Sequence, residues 1–454
     1  MLELFMERTI AFLLFWGIWM LAPLVIDLTT AALYLSMVIL FPEKKEREAL
    51  LELNFLPLVS VVIPVHDSSE TLYACLKSVV DQKYPLEKLQ IICINNGSSD
   101  NSFNVFGKFQ NDYQHASLSW INMDRSGKSI ALNAGIYMIK GDYIINVDSD
   151  AWLDEFAVLR MVETFEHDLT LVAATGAIHI DKKLGEQTGL MDVLHYCEEI
   201  EYLVAFNVGR RYQSITNNLY TLAGAFSAFR RDILLKSFQY SERTVSEDTD
   251  LTFHIRNSAQ KDNGRLGCVS SAIAYVEPID SFSKLYSQRV RWQRGQIEVT
   301  SLYDPGKIGF LRSLRSTNGR TLVVDHTLAF SRLTWTFLIP FLYFLGYPLN
   351  LVMAAFGGMY ICYLLLDFLY YLVAVKESSG PYKTGIKKIW WVVFFLPIFR
   401  SITYWFRISG ILLAITEQSS WKVENPIAQL TEAIKASLKH MVNKFRKYYS
   451  RIKF

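Results

Sequence analysis

The sequence is short of cysteine, of net charge and of any histidine pattern that ligates metal. Five cysteines, Cys75, Cys93, Cys197, Cys268 and Cys362, are scattered over 454 residues. Their number is odd and none forms a CxxC pair, so neither a zinc site nor a disulfide framework is signalled. Reduced thiols in a cytosol-facing domain follow. Formal net charge is only +2, which gives no argument for a nucleic-acid partner. The eight histidines show no HExxH spacing, and His66, His179 and His254 read as structural. No repeat or low-complexity segment stands out. Arg125-Ser126-Gly127-Lys128-Ser129 looks like the end of a phosphate-binding loop, but the first glycine such a loop needs is replaced by Asn122. Lys128 and the helix start after it can still meet a phosphate.

Apolar sequence is what the chain has in abundance. It is 51% hydrophobic with mean hydropathy +0.17, high for a soluble protein and a sign of membrane spans. Thr9 to Leu40 is almost uninterrupted, broken by Pro23 and Asp27. It reads as one tilted span, or as a tight hairpin near Asp27 whose arms would be short for a core of about 30 Å. Its flanks are wrong for a cleaved signal peptide. Lysines and arginine in the run Glu43 to Glu48 place that side in the cytoplasm. Two further spans are expected near Leu328–Leu345 and Leu351–Val373, followed by a lysine-bearing cytoplasmic loop, Lys376 to Lys388. Ile389 to Ile415 contains Pro397, Arg400 and Arg407. With cytoplasmic sequence on both sides it must be re-entrant, two short passes, or an interfacial helix whose arginines snorkel. The tail after Pro426 is basic and amphipathic, suited to an anionic leaflet. The expected division is 1–50 for the N-terminal span and junction, 51–300 for a catalytic domain, 301–425 for interfacial and transmembrane helices, and 426–454 for the tail.

Within the catalytic domain, β-branched runs alternate with helical spacing. Leu58 to Pro64, Gln90 to Ile94, Ser119 to Met123 and Tyr143 to Val147 read as strands, the first stopped by its proline. The expected fold class is α/β, a doubly wound, mostly parallel sheet, whose ligands bind at the carboxyl ends of the strands. Asn95, Asn96, Asp148 and Asp150 all fall there. Asp148-Ser149-Asp150 places two carboxylates at i, i+2, which strand alternation would turn into one cleft. They repel unless a cation lies between them, and hard oxygen ligands favour Mg²⁺ or Mn²⁺. A lone DxD is more often a solvated acidic turn, but two further clusters accompany it. Ser246-Glu247-Asp248-Thr249-Asp250 crowds carboxylates at a helix start. Gln288-Arg289-Val290-Arg291-Trp292 puts an amide, a guanidinium and an indole on one helix face. A guanidinium grips diphosphate in a fork, and an indole stacks on a sugar ring.

DxD, then ED, then QxxRW, flanked by apolar runs, resembles the processive family 2 glycosyltransferases. That family includes bacterial cellulose, hyaluronan and poly-N-acetylglucosamine synthases. The resemblance covers about Val59 to Gly295 and extends to Val61–Asp67, Lys128–Gly135 and Gly224-Ala225-Phe226 followed by Arg230-Arg231. Trp421-Lys422 is weakly similar to a late motif of some members. The resemblance implies a GT-A fold in a multi-pass bacterial plasma-membrane protein with its catalytic domain in the cytoplasm. It implies a metal-dependent, inverting hexosyltransferase that moves a sugar from a nucleotide-sugar donor, usually UDP-linked, to a growing polysaccharide. Asp148 and Asp150 would hold Mg²⁺ or Mn²⁺. Asp248, beside Glu247, would be the general base. Asn95, Asn96, Lys128, Asp148, Gln288 and Arg291 would bind donor; Trp292, Gly224, Ala225 and Phe226 would face the acceptor. The chain departs from the family at Asn95-Asn96, where an aspartate pair is usual; asparagine still offers an acceptor and a donor to a base. Competing readings are a non-processive transferase acting on a lipid carrier, a catalytically impaired binding subunit and, last, a transporter without chemistry.

Overall fold

The computed structural model describes residues 6–7, 24–42, 56–180, 189–303, 337–378 and 380–416. The run Glu43–Glu48, residues 328–336 of the first expected C-terminal span, Trp421 and the basic tail lie outside the described residues.

One eight-stranded sheet organises the catalytic region, in the order β3-β2-β1-β4-β7-β6-β8-β5. Its strands are β1 (Val59–Val65), β2 (Leu89–Asn95), β3 (Ser117–Asn122), β4 (Tyr143–Val147), β5 (Ala151–Leu153), β6 (Leu171–Ile180), β7 (Phe226–Arg230) and β8 (Arg265–Val276). Buried on both faces, β1 and β4 are apolar apart from Ser60 and Asn146 rather than alternating, as central strands of a covered sheet are. Helices α2 (Leu72–Val80), α3 (Ser102–Asp112) and α5 (Ala157–His167) cover one face through Leu76, Phe109 and Phe165. Helix α4 (Lys128–Ile136), α8 (Arg231–Lys236) and α9 (Glu247–Ala259) cover the other through Leu132, Leu234 and Leu251.

The doubly wound, mostly parallel expectation holds only for half of this sheet. Strand β1 runs parallel to β2 and β4, and β2 to β3. Beyond β4 the sheet is mixed: β7 is antiparallel to β4 and β6, β6 is parallel to β8, and β5 is antiparallel to β8. The chain leaves the sheet after β6 through α6 (Leu190–Val204) and α7 (Arg211–Ile215). It re-enters at the carboxyl end of β4, so β7 must run back down. Strand β1 also continues through Pro64 to Val65. Its pairing with β4 ends at Val62, while Val65 O still accepts a bond from Asn96 N on the β2 side at 2.8 Å. The proline's missing N–H therefore faces the edge that β4 has already left, where no ladder bond is lost.

Helix α10 (Phe282–Tyr303) joins this domain to α11 (Leu349–Glu377), α12 (Gly380–Lys388) and α13 (Leu396–Thr416). Apolar side chains of α6, among them Tyr196, Ile200 and Leu203, pack with Tyr371, Val393 and Phe399 of that helical region. Helix α1 (Leu24–Leu40) meets α11 through a 2.7 Å bond from Tyr363 Oη to Asp27. Among the described residues, two helical runs, Leu349–Glu377 and Trp390–Ala414, are long and apolar enough to cross a membrane. In the second, Trp390–Phe395 is a tighter first stretch and α13 continues it without a break, which of the three alternatives for Ile389 to Ile415 disfavours two separate short helices. Pro397 falls where the tighter stretch passes into α13, at that helix's second residue.

Packing against the sheet predicts opposite outcomes at two glycines. A Cβ at Gly176 would collide with the Phe226 ring and come within 2.7 Å of Ala272 O, whereas one at Gly107, inside α3, meets nothing within 4 Å. Gly176→Ala should lower stability by about 1–3 kcal/mol, and Gly107→Ala should raise it by about 0.5–1 kcal/mol, both read from thermal melts in detergent. Glu198 on α6 supplies a pH test. It is buried, and burial pushes its carboxyl from 4.5 up to about 7, with Glu201 adding to the rise and Arg289 opposing it. Folding then takes up a proton, so this contribution is full below pH 4.5 and is lost as pH rises to about 7. Glu198→Gln should remove a stability change on the order of 3 kcal/mol across that window. Superimposable pH slopes for variant and parent would contradict it.

Candidate active site

The site begins where β4 stops. Register places Val147 opposite Phe226, so the next residues out, Asp148 and Ala225, also meet: Asp148 N donates to Ala225 O at 3.3 Å. Asp148 to Ala151 is then a tight turn, closed by Ala151 N on Asp148 O at 3.0 Å. Turn geometry rather than strand alternation therefore brings the two aspartates together. Ser149 between them points inward, 2.7 Å from Ser68 Oγ.

Three elements converge on Asp148. Lys128, at the start of α4, sets its ammonium 2.7 Å from Asp148 Oδ1 and 3.7 Å from Glu247 Oε1. Glu247 and Asp248 open α9, where carboxylates are favoured by the exposed N–H groups of the helix start. Gly224 N donates to Asp248 Oδ2 at 3.3 Å, and Thr249 N to Asp248 Oδ1 at 2.7 Å. A Cβ at Gly224 would lie 3.5 Å from both Asp248 Oδ2 and Lys128 Nζ, so the glycine leaves the space between that carboxylate and the lysine open. Burial alone would depress the Lys128 ammonium, but the charges of Asp148 and Glu247 outweigh it and hold it above its ordinary value. Burial pushes Glu247 up, opposed by Lys128 and reinforced by Asp248. Asp150 keeps solvent contact, yet the cleft walls strip enough hydration to push its carboxyl up, and the Asp148 charge adds to this. Asp250, the last acid of the cluster, is fully buried and held by Arg243 through bonds of 2.7 and 2.6 Å and by Tyr303 at 2.8 Å. It is structural.

The asparagine pair sits at the end of β2, and much of its hydrogen-bonding capacity is used by the protein itself. Asn95 Oδ1 accepts from Ser98 N at 2.9 Å, and its amide donates to Asn122 Oδ1 at 3.1 Å, which also takes Trp120 Nε1 at 2.9 Å. Asn96 Oδ1 accepts from Gly127 N, which ties this corner to the loop carrying Lys128.

Helix α10 brings the third motif to the same place. A Cβ at Gly295 would collide with Ser246 Oγ, so α10 lies directly on the residue before Glu247, one turn along from Arg291 and Trp292. Glu298 locks the contact, accepting from Val245 N at 3.0 Å and from Arg294 at 2.8 Å. Gln288 Nε2 lies 3.4 Å from Tyr202 Oη, while its Oε1 has no hydrogen-bond partner. Arg291 is half-buried and Trp292 exposed. Phe226 departs from its expected acceptor role: it is wholly buried in the core under Gly176 and offers no surface to a sugar. Arg230, following it, is likewise structural, donating to Leu171 O and Phe165 O. Glu201 and Tyr202 on α6, beneath α10, were not among the sequence candidates; the signal was a cluster of acids at 198, 199 and 201 in a largely apolar helix.

Comparison with known proteins agrees with this geometry. Residues 60–238 match Glycosyl transferase family 2. Over 245 residues the chain is 29% identical to poly-beta-1,6-N-acetyl-D-glucosamine synthase of Staphylococcus aureus strain COL, covering 53% of this chain and 55% of the relative. The enzyme of that name from Staphylococcus epidermidis is 28% identical over 244 residues, with the same coverage of 53% and 55%. The chain thus spans about half the length of the curated relatives it matches. Among solved structures, the mannosyltransferase PcManGT from Pyrobaculum calidifontis, in complex with GDP-Man and Mn²⁺, aligns with TM-score 0.55 at 12% identity, over 88% of this chain and 98% of that one. That likeness shows the fold, a GT-A-like mixed α/β sheet. Residues 60–238 are thus similar to Glycosyl transferase family 2, and the chain is similar to poly-beta-1,6-N-acetyl-D-glucosamine synthases.

Proposed function

We propose that the protein is a membrane-bound, metal-dependent, inverting glycosyltransferase that moves a sugar from a UDP-linked donor to a growing polysaccharide. The observation that carries this reading is the meeting of Lys128, Asp148, Glu247, Asp248 and Gly224 at the carboxyl end of β4, with α10 packed on Ser246 beside them. The names of the staphylococcal relatives support a polysaccharide product and make UDP-N-acetylglucosamine the first donor to test.

The residues present fit a divalent cation. Asp148 already seats one cationic group, the Lys128 ammonium, and Asp150 feels the Asp148 charge. No group of three His, Cys, Asp or Glu side chains is spaced to hold a metal among the described residues. Two carboxylates with diphosphate oxygens and water are, however, the usual surroundings of Mg²⁺. The neighbouring fold bound to GDP-Man and Mn²⁺ supports the same assignment. When bound, such an ion supplies Lewis-acid stabilisation of the charge on the leaving diphosphate.

The chain's own residues do the rest. Asp248, oriented by Gly224 N and Thr249 N, takes the proton from the acceptor hydroxyl. The oxygen attacks the anomeric carbon opposite the diphosphate, the glycosidic bond forms as the bond to diphosphate breaks, and configuration inverts. Lys128, Gln288 and Arg291 hold the diphosphate, Asn95 and Asn96 line the nucleotide end, and Trp292 carries the acceptor ring. The apolar helices Leu349–Glu377 and Trp390–Ala414 anchor the domain at the membrane, and the polymer leaves through the helical region.

Asp248→Asn should cut sugar incorporation by about 10²–10⁴-fold while calorimetric donor binding stays near that of the parent. Full turnover in the variant would remove Asp248 as the base. Asp148→Asn should abolish the gain in donor affinity on adding Mn²⁺, and an undiminished gain would remove Asp148 as a ligand. Product mass separates polymerisation from transfer of one sugar to a lipid carrier.

A further inference from the structure

The underside of the indole that faces the acceptor is connected to a helix of the membrane region. Glu201, on α6, is shared between two arginines. Its Oε2 lies 2.6 Å from Arg289 Nη2 on α10, and its Oε1 lies 3.5 Å from Arg407 Nη2 on α13. Arg289 is 2% exposed, and its guanidinium carbon sits 4.7 Å from the centroid of the Trp292 ring. The Tyr202 ring, next in sequence to Glu201, lies 6.3 Å from the same indole. Trp292 thus rests on a buried cation whose position Glu201 fixes. Helix α13 also presses directly on α10: a Cβ at Gly410 would lie 2.7 Å from Val290 O.

A buried guanidinium needs its counter-charge, and removing one partner of such a pair leaves the other uncompensated. Burial works against charge on Glu201, yet the positive charges of Arg289, Arg407 and Arg400 prevail and hold its carboxyl below its ordinary value. Two guanidiniums brought to one carboxylate are held together only while it carries charge. The chain Arg407–Glu201–Arg289–Trp292 reaches the indole without using Lys128, Asp148 or Asp248 as a link.

We propose that Glu201 is a positioning residue that sets Trp292 for a saccharide acceptor, and that Arg407 makes this setting depend on α13. Acceptor engagement is thereby coupled to the helical region, while donor activation is not. This rests on the transferase reading above.

The test uses the purified full chain in detergent with Mn²⁺, UDP-N-acetylglucosamine as donor and a β-1,6-linked N-acetylglucosamine oligomer as acceptor. Donor hydrolysis by water and transfer to the oligomer are measured side by side. Glu201→Gln should lower transfer about tenfold and raise the acceptor KM, with hydrolysis and donor KM close to the parent's. Arg289→Lys, which keeps the charge but loses the planar plate, should behave in the same way. Arg407→Gln should lower transfer about threefold with hydrolysis unchanged. A general loosening of the fold would instead lower both rates together, and equal losses in the two rates would overturn the inference while leaving the transferase reading intact. Absence of both activities in the parent chain would overturn the transferase reading, and the inference with it. Should Glu201→Gln fail to fold, Arg407→Gln decides, because it leaves the Arg289–Glu201 pair in place; an unchanged ratio of transfer to hydrolysis in that variant overturns the coupling.

Discussion

The ammonium of Lys128 sits among carboxylates that would otherwise repel one another. Asp148 at 2.7 Å and Glu247 at 3.7 Å come from a sheet turn and a helix start that are distant in sequence, and Asp248 adds a further nearby charge. Like charges at such spacing raise one another's proton affinity unless a cation intervenes, and Glu247 and Asp150 are both pushed upward. The lysine thus keeps an acidic cleft assembled. A phosphate-bearing ligand with a divalent ion can take over that balancing of charge, which is why this interaction gives the cleft its chemical character.

The scaffold delivers these groups through register and close approach. Pairing of Val147 with Phe226 sets Asp148 beside Ala225, and the preceding Gly224 holds Asp248. The reversal of β7, which makes the sheet mixed, is what brings that glycine segment to the carboxyl end of β4. The lack of a side chain at Gly295 lets α10 lie on Ser246. The motifs at 148–150 and 288–292, about 140 residues apart in sequence, are thus both joined to the start of α9, one through Lys128 and Glu247 and the other through Gly295 on Ser246.

Much of this was legible in the sequence, for a physical reason. Asp148, Glu247 and Asp248 are charged groups at the ends of apolar or periodic segments, and such interruptions are visible in one dimension. The end of β2 at Asn95 and Asn96 could be placed for the same reason. Less legible were features that depend on partners. Pro64 looks like a strand terminus until the early departure of β4 is known. Phe226 reads as a site residue because it follows Gly224-Ala225, but strand alternation turns it into the core. The direction of β7 depends on where a long helical excursion returns. Glu201 is hidden among α6 apolar residues because its two arginines lie 88 and 206 positions downstream, at 289 and 407. The arginines of residues 389–415 were visible as oddities at membrane depth, and their partners Glu201 and Asp367 account for them.

The most direct measurement is an experimental structure of the full chain with UDP and Mn²⁺. The account predicts Mn²⁺ on Asp148 and Asp150, the diphosphate between that ion and the Gln288–Arg291 face of α10, and Lys128 turned toward phosphate. A diphosphate bound on another surface, with α10 and the aspartates contacting nothing in common, would contradict it.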